Sequence, residues 1–133
     1  MNAPVMARTT VRLADLGDAG EVRRIEGLVA ESGASLFHRP AWLQAVSAGT
    51  GQRAAGLVAE RMGVINGWLP LTEVRSALFG KALVSSGFGV GGGICAGDEA
   101  TVAALAAEAQ RLAEAGGFSG IELRGGPIPA GWE

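Results

Sequence analysis

Apolar positions along this chain switch between a period of two and a period of three to four. Val11 and Leu13 alternate with Thr10 and Arg12, which predicts a short strand over residues 10–14. Val22, Ile25, Leu28 and Val29 then recur at the spacing of one helix face and predict a helix over Ala19–Glu31. Asp18 suits the N-cap, Glu21 stands at the capping-box position, and Gly33 ends the helix. Pro40 starts a second helix, because its fixed φ and missing N–H are harmless in a first turn. Trp42, Leu43 and Val46, with Ala45 beside them, form its inward face, and Gly49 and Gly51 stop it.

The middle of the chain reads as strands. Over residues 54–61, Ala55, Leu57, Ala59 and Arg61 share one face while Gly56, Val58 and Glu60 share the other. Met62-Gly63 is a tight turn, and residues 64–74 are the hairpin partner. Pro70 inside that run implies a bulge or an edge, since proline cannot donate to a ladder. Residues 81–86 predict another strand, followed by a glycine-rich loop over 87–97. Asp98 caps a long helix with Val102, Leu105, Ala106, Ala109, Leu112 and Ala113 as its apolar stripe. Gly116-Gly117 ends it, and residues 120–124 read as a buried strand. The order β-α-α-β-β-β-α-β predicts an α/β fold: a mixed, mostly antiparallel sheet flanked by helices, with a crossover to one parallel strand. Residues 125–133 read as a loop leaving that strand, so the chain is expected to be the front of a longer protein.

Composition narrows the classes. With 133 residues, 48% apolar and 18% charged, the chain can bury one core and is read as a single domain over 1–133. A net charge of −2 gives no basic field for nucleic acid, so no DNA partner is expected. Cys95 is the only cysteine, which excludes an intramolecular disulfide and a multi-cysteine zinc site. No His, Cys, Asp or Glu cluster has metal-ligand spacing, so no metal is expected. The first ten residues lack the apolar core of a secretory signal, and no apolar run reaches the roughly 18–20 residues of a membrane span. The expected location is cytoplasmic. Absent tyrosine and abundant alanine point to a GC-rich bacterial source.

Five words in order carry a resemblance. They are Phe37-His38-Arg39-Pro40-Ala41-Trp42, then Leu57-Val58-Ala59-Glu60-Arg61, then the run from Gly67-Trp68-Leu69-Pro70 to Arg75-Ser76. Leu78-Phe79-Gly80-Lys81-Ala82-Leu83-Val84-Ser85-Ser86 and Ile121-Glu122-Leu123-Arg124 complete the set. Together they resemble the first GNAT-like half of the FemAB-like family, which includes peptidoglycan-bridge aminoacyltransferases and relatives associated with exopolysaccharide and PEP-CTERM systems. The resemblance implies transfer of an acyl or aminoacyl group to an amine of a cell-envelope or related acceptor. It implies acyl-CoA or aminoacyl-tRNA as co-substrate, and a missing C-terminal half or a homodimer partner. The alternative is a non-catalytic, degenerate GNAT-like module for ligand binding or dimerisation.

On this resemblance the backbone N–H groups of Gly91, Gly92 and Gly93 hold the phosphates of a donor, ahead of the helix at Asp98. Asp98 and Glu99 place negative charge at that helix start. The expected acceptor-binding residues are His38, Arg39, Trp42, Arg75, Lys81, Ser86 and Phe88. His38 has the ordinary pKa of a general base, yet nothing in the sequence pairs it with a nucleophile or carboxylate; it lines the cleft or caps the Pro40 helix. Arg39 at a helix start, and Arg75 with Lys81, suit anionic groups, or else are solvated surface charge. Trp42 and Trp68 suit the core as well as a site, and Cys95 is expected to be buried and inert.

Overall fold

The structure, a computed structural model, describes residues 8–77, 80–85 and 91–132. Strand β1 (Thr10–Leu13) leads into helix α1 (Ala19–Glu31), a 3-10 turn (Leu36–His38) and helix α2 (Pro40–Thr50). Strands β2 (Arg53–Arg61), β3 (Val64–Ser76), β4 (Gly80–Ser85) and β5 (Cys95–Ala96) follow, then helix α3 (Glu99–Ala115) and strand β6 (Gly120–Glu122). The strands form one sheet in the order β1-β2-β3-β4-β6, with β5 paired to β3. All neighbours are antiparallel except β4 and β6, which run parallel.

The alternation in β2 and β3 sorts the core onto two faces. Leu57, Ala59, Leu69 and Leu71 pack against Val102, Leu105, Ala106 and Ala109 of α3. Val58 and Trp68 pack against Ile25 and Val29 of α1 and Leu43 of α2. The β2–β3 turn uses Met62 at φ 53 and Gly63 at φ 77; two positive φ values match the right-handed twist of the flanking strands. Gly67 lets α3 settle onto the sheet: a Cβ there would lie 2.7 Å from Thr101 Cγ2.

Several expectations need correction. The loop expected over 87–97 contains β5, because Cys95 and Ala96 rejoin the ladder opposite Trp68 and Gly67. The last strand is not buried: Gly120 and Glu122 are exposed and Ile121 is half-buried, since β6 is an edge with β4 as its partner among the described residues. Ala45 is exposed. Glu21 does not close a capping box on Asp18. Asp18 accepts from Gly20 N–H, while the Glu21 carboxylate reaches Asp15 N–H and the Arg12 guanidinium. Pro70 faces Gly56 on β2, and the β2–β3 irregularity falls at Ala59/Glu60 instead; the chain between Ser85 and Cys95, which bears on the edge expected at Pro70, lies in part outside the described residues.

Candidate functional site

The last register pair of the parallel strands β4 and β6 is Val84↔Glu122, and the buried Ser85 Oγ then accepts from Arg124 N–H at 2.6 Å. β3 is paired by β4 as far as Leu71↔Ser85 and by β5 from Trp68↔Cys95. The limb of residues 91–94, just before β5, lies directly on residues 124–126. A Cβ on Gly93 would overlap the Gly125 carbonyl oxygen, and one on Gly126 would lie 3.0 Å from the Ile94 carbonyl oxygen. Glycine here serves close backbone approach.

His38 holds this limb to the rest of the molecule. Its Nδ1 lies 3.2 Å from Ser35 N and 3.0 Å from Ser35 Oγ, while Nε2 lies 3.0 Å from the Gly93 carbonyl oxygen. A backbone N–H can only donate and a carbonyl can only accept. Nδ1 therefore carries the lone pair and Nε2 the proton, and the ring is neutral. Burial pushes the His38 pKa down from 6.5, with the Gly93 carbonyl pulling weakly the other way. The His38 carbonyl accepts from Trp68 Nε1 at 2.7 Å. Trp68 reaches it by lying across Gly56, where any Cβ would overlap the indole ring.

Phe37 and Trp42 flank this clasp, with ring centroids 4.9 Å apart at 83°. Gly91 lies beside them: a Cβ there would sit 3.8 Å from Ser35 Oγ and 3.9 Å from Phe37. Trp42 is half-buried, and its Nε1 is buried with no hydrogen-bond partner. Arg39 is exposed at the α2 N-cap. His38, Arg39, Trp42, Gly91, Gly92 and Gly93 thus gather at one corner. Ser86 and Phe88 lie outside the described residues.

Arg75 and Lys81 do not join them. They face each other across β3 and β4, seven residues along β3 from Trp68, or about 23 Å at ordinary strand rise. At the start of α3, Asp98 Oδ1 accepts from Thr101 N–H at 2.7 Å, a bond that holds the Asp98 pKa below the carboxylate range. A cavity of about 430 Å³ lies between this first turn and residues 127–130. Cys95 is buried on the α1–α2 face, where desolvation raises its pKa and keeps it a thiol. Ser35 was missed by sequence reasoning. Its signal is a capping-box spacing with histidine in the acid's place, Ser35-Leu-Phe-His38.

No protein-family model matches this chain, and no curated protein matches it in sequence. Solved structures do. The ribosomal-protein-alanine N-acetyltransferase from Brucella melitensis biovar Abortus 2308 superposes with a TM-score of 0.62 at 17% identity, over 92% of this chain and 83% of that one. The aminoglycoside N-acetyltransferase AAC(6')-Iy, solved in complex with CoA, gives 0.61 at 15% identity, over 95% and 82%. The chain has the expected GNAT-like fold: a mixed, mostly antiparallel sheet between helices. Among the described residues no helix is long and apolar enough to cross a membrane.

Proposed function

We propose that this chain is the GNAT-like half of an N-acyltransferase of the FemAB-like kind. It would act with a second half or a second copy on an amine of a cell-envelope or exopolysaccharide precursor, at the cytoplasmic side. One observation carries this reading: words far apart in sequence converge on His38. The Phe37–Trp42 word, the Trp68 word and the glycine limb are joined by its ring and its carbonyl at the mouth of the parallel pair. Ligands in open α/β sheets bind beyond the carboxyl ends of parallel strands, and this corner lies past the last β4–β6 register pair.

The chemistry is direct transfer. The acceptor amine attacks the acyl carbonyl, a C–N bond forms, and the thioester or ester bond breaks. The leaving thiol or hydroxyl takes up a proton as the amine loses one. Of the glycines Gly91, Gly92 and Gly93, half-buried Gly91 offers side-chain-free backbone to the donor, acyl-CoA or aminoacyl-tRNA, with Gly92 and Gly93 buried behind it. Arg39 and the Trp42 ring face contact the acceptor. His38 is a positioning residue here rather than a base, because Ser35 occupies its lone pair.

The second reading, a non-catalytic ligand-binding or dimerisation module, is favoured by Asp98. Its carboxylate takes a first-turn N–H of α3 that a donor phosphate would otherwise use. Thermal unfolding with acetyl-CoA, longer acyl-CoAs and charged tRNA tests the transferase reading. A donor at 100 times its Kd adds about 2.7 kcal/mol, a rise of several degrees in Tm. No rise with any donor sinks it. A rise without product in an amine-acylation assay favours the module.

A further inference from the structure

The opposite end of the sheet carries a second cavity, of about 530 Å³, on the α3 face. Its polar side holds Arg53, Glu73, Arg75 and Lys81, and its apolar side includes Leu83, Leu112 and Phe118. Arg53 stands opposite Glu73 across β2 and β3, and Arg75 stands opposite Lys81 across β3 and β4. The alternation puts all four on one face.

The charges do not balance. Among the described residues Glu73 is the one carboxylate lining the cavity. Arg53 Nε lies 3.3 Å from it and Arg75 Nη2 lies 3.9 Å from it. Three cations against one anion leave two positive charges over. Lys81 makes no ion pair among the described residues; its Nζ sits 4.5 Å from the centroid of the Phe118 ring. Phe118 is fixed there because Ser119 donates to the Lys81 carbonyl through both its N–H and its hydroxyl. Like charges directly opposed across strands weaken a sheet. Here the opposed pair borders a concave apolar surface, and the volume lies within the range of small-molecule sites.

We propose that this cavity binds a small amphipathic anion, a carboxylate or phosphate head on a short apolar body. The head sits between Arg75 and Lys81, and the body lies along Leu83, Leu112 and Phe118. The site is independent of the acyl-transfer reading and stands whether or not the chain binds a donor.

Titration of the ¹⁵N-labelled chain with octanoate, octyl phosphate, octanol, octyltrimethylammonium and inorganic phosphate tests it by NMR. Octanoate or octyl phosphate should give saturable shifts centred on Arg75, Lys81, Leu112 and Phe118. Carboxylate and phosphate heads are separated by which of the two binds tighter. Octanol, octyltrimethylammonium and inorganic phosphate should bind at least tenfold more weakly. The double variant R75Q/K81Q should lose at least tenfold in affinity with Tm unchanged or raised. Equal binding of octanol or of the cationic amphiphile overturns the proposal, as does equal binding of bare phosphate. So does an R75Q/K81Q variant that folds and keeps full affinity. If R75Q/K81Q unfolds, the cations are structural and the charge argument fails.

Discussion

The His38 clasp makes folding stability depend on pH in a window that belongs to one residue. His38 is the only histidine of the chain, and it is buried and neutral. Protonation would place a second N–H on Nδ1, facing the Ser35 N–H. In the unfolded chain the same ring takes up its proton near pH 6.5. Below that value the unfolded state binds more protons than the folded state. Stability therefore falls as pH drops through the window and levels off above it. Between pH 7.5 and 5.5 the loss can be at most about 1.4 kcal/mol, the free energy of protonating the unfolded ring over that span. Urea unfolding at the two pH values reads this directly, provided the m-value is the same at both. His38→Asn sharpens the test. The Asn amide oxygen can still accept from Ser35, but no donor reaches the buried Gly93 carbonyl. That should cost about 1–3 kcal/mol at pH 7.5, and the pH dependence should vanish. A wild-type chain equally stable at pH 5.5, or an Asn variant that keeps the slope, would refute the tautomer and burial argued for His38.

Three further outcomes follow from particular contacts. Glu21, with a side chain 4% exposed, binds Arg12 at 2.5 Å and Arg24 at 3.2 Å; the Arg12 bond leads in lowering its pKa from 4.5 to about 2. The stability it adds is complete above about pH 4.5 and is lost as pH falls towards 2, the sign expected of a depressed acid. Glu21→Gln should cost about 2 kcal/mol in urea unfolding at pH 7, below a fully buried pair because Arg12 is 37% exposed. Gly56→Ala should push the Trp68 indole off its seat, with a loss of about 1–3 kcal/mol and a changed near-UV circular dichroism; unchanged aromatic signals would contradict the packing. Gly93→Ala should drive residues 91–94 away from residues 124–126. Amide exchange at Arg124, protected by Ser85, would then speed up while α3 stays protected.

The element order was legible because each element carries a local cause. The 3.6-residue stripe of α3, the Met62-Gly63 turn and Pro40 at the start of α2 are visible without any partner. The errors fall where a partner decides. β5 is two residues long, and nothing local distinguishes Cys95-Ala96 from loop; Gly67 and Trp68 make it a strand. Glu21 looked like a capping residue because Asp18 stands three residues before it. Arg12, on another element, offers a guanidinium that outcompetes a single N–H. Ile121 looked buried from its apolar character, but a strand with one neighbour among the described residues leaves it half-exposed.

The candidate corner was legible in its two pieces and not in their contact. His38, Arg39 and Trp42 came forward within one word and Gly91 to Gly93 within a separate loop, and the fold joins the two through one imidazole ring. Arg75 and Lys81 came forward with Arg39 as cations suited to anionic groups, and the register sends them to the other end of the sheet. The difference lies in what each set satisfies. At the His38 corner both nitrogens of the imidazole ring have partners, so the ring itself holds the corner in shape. At the Arg75–Lys81 end the apolar wall is in place while positive charge is left over. A charge excess beside apolar surface suits an anion with an apolar body better than a neutral amphiphile or a bare anion, because only the first uses both the cations and the apolar wall.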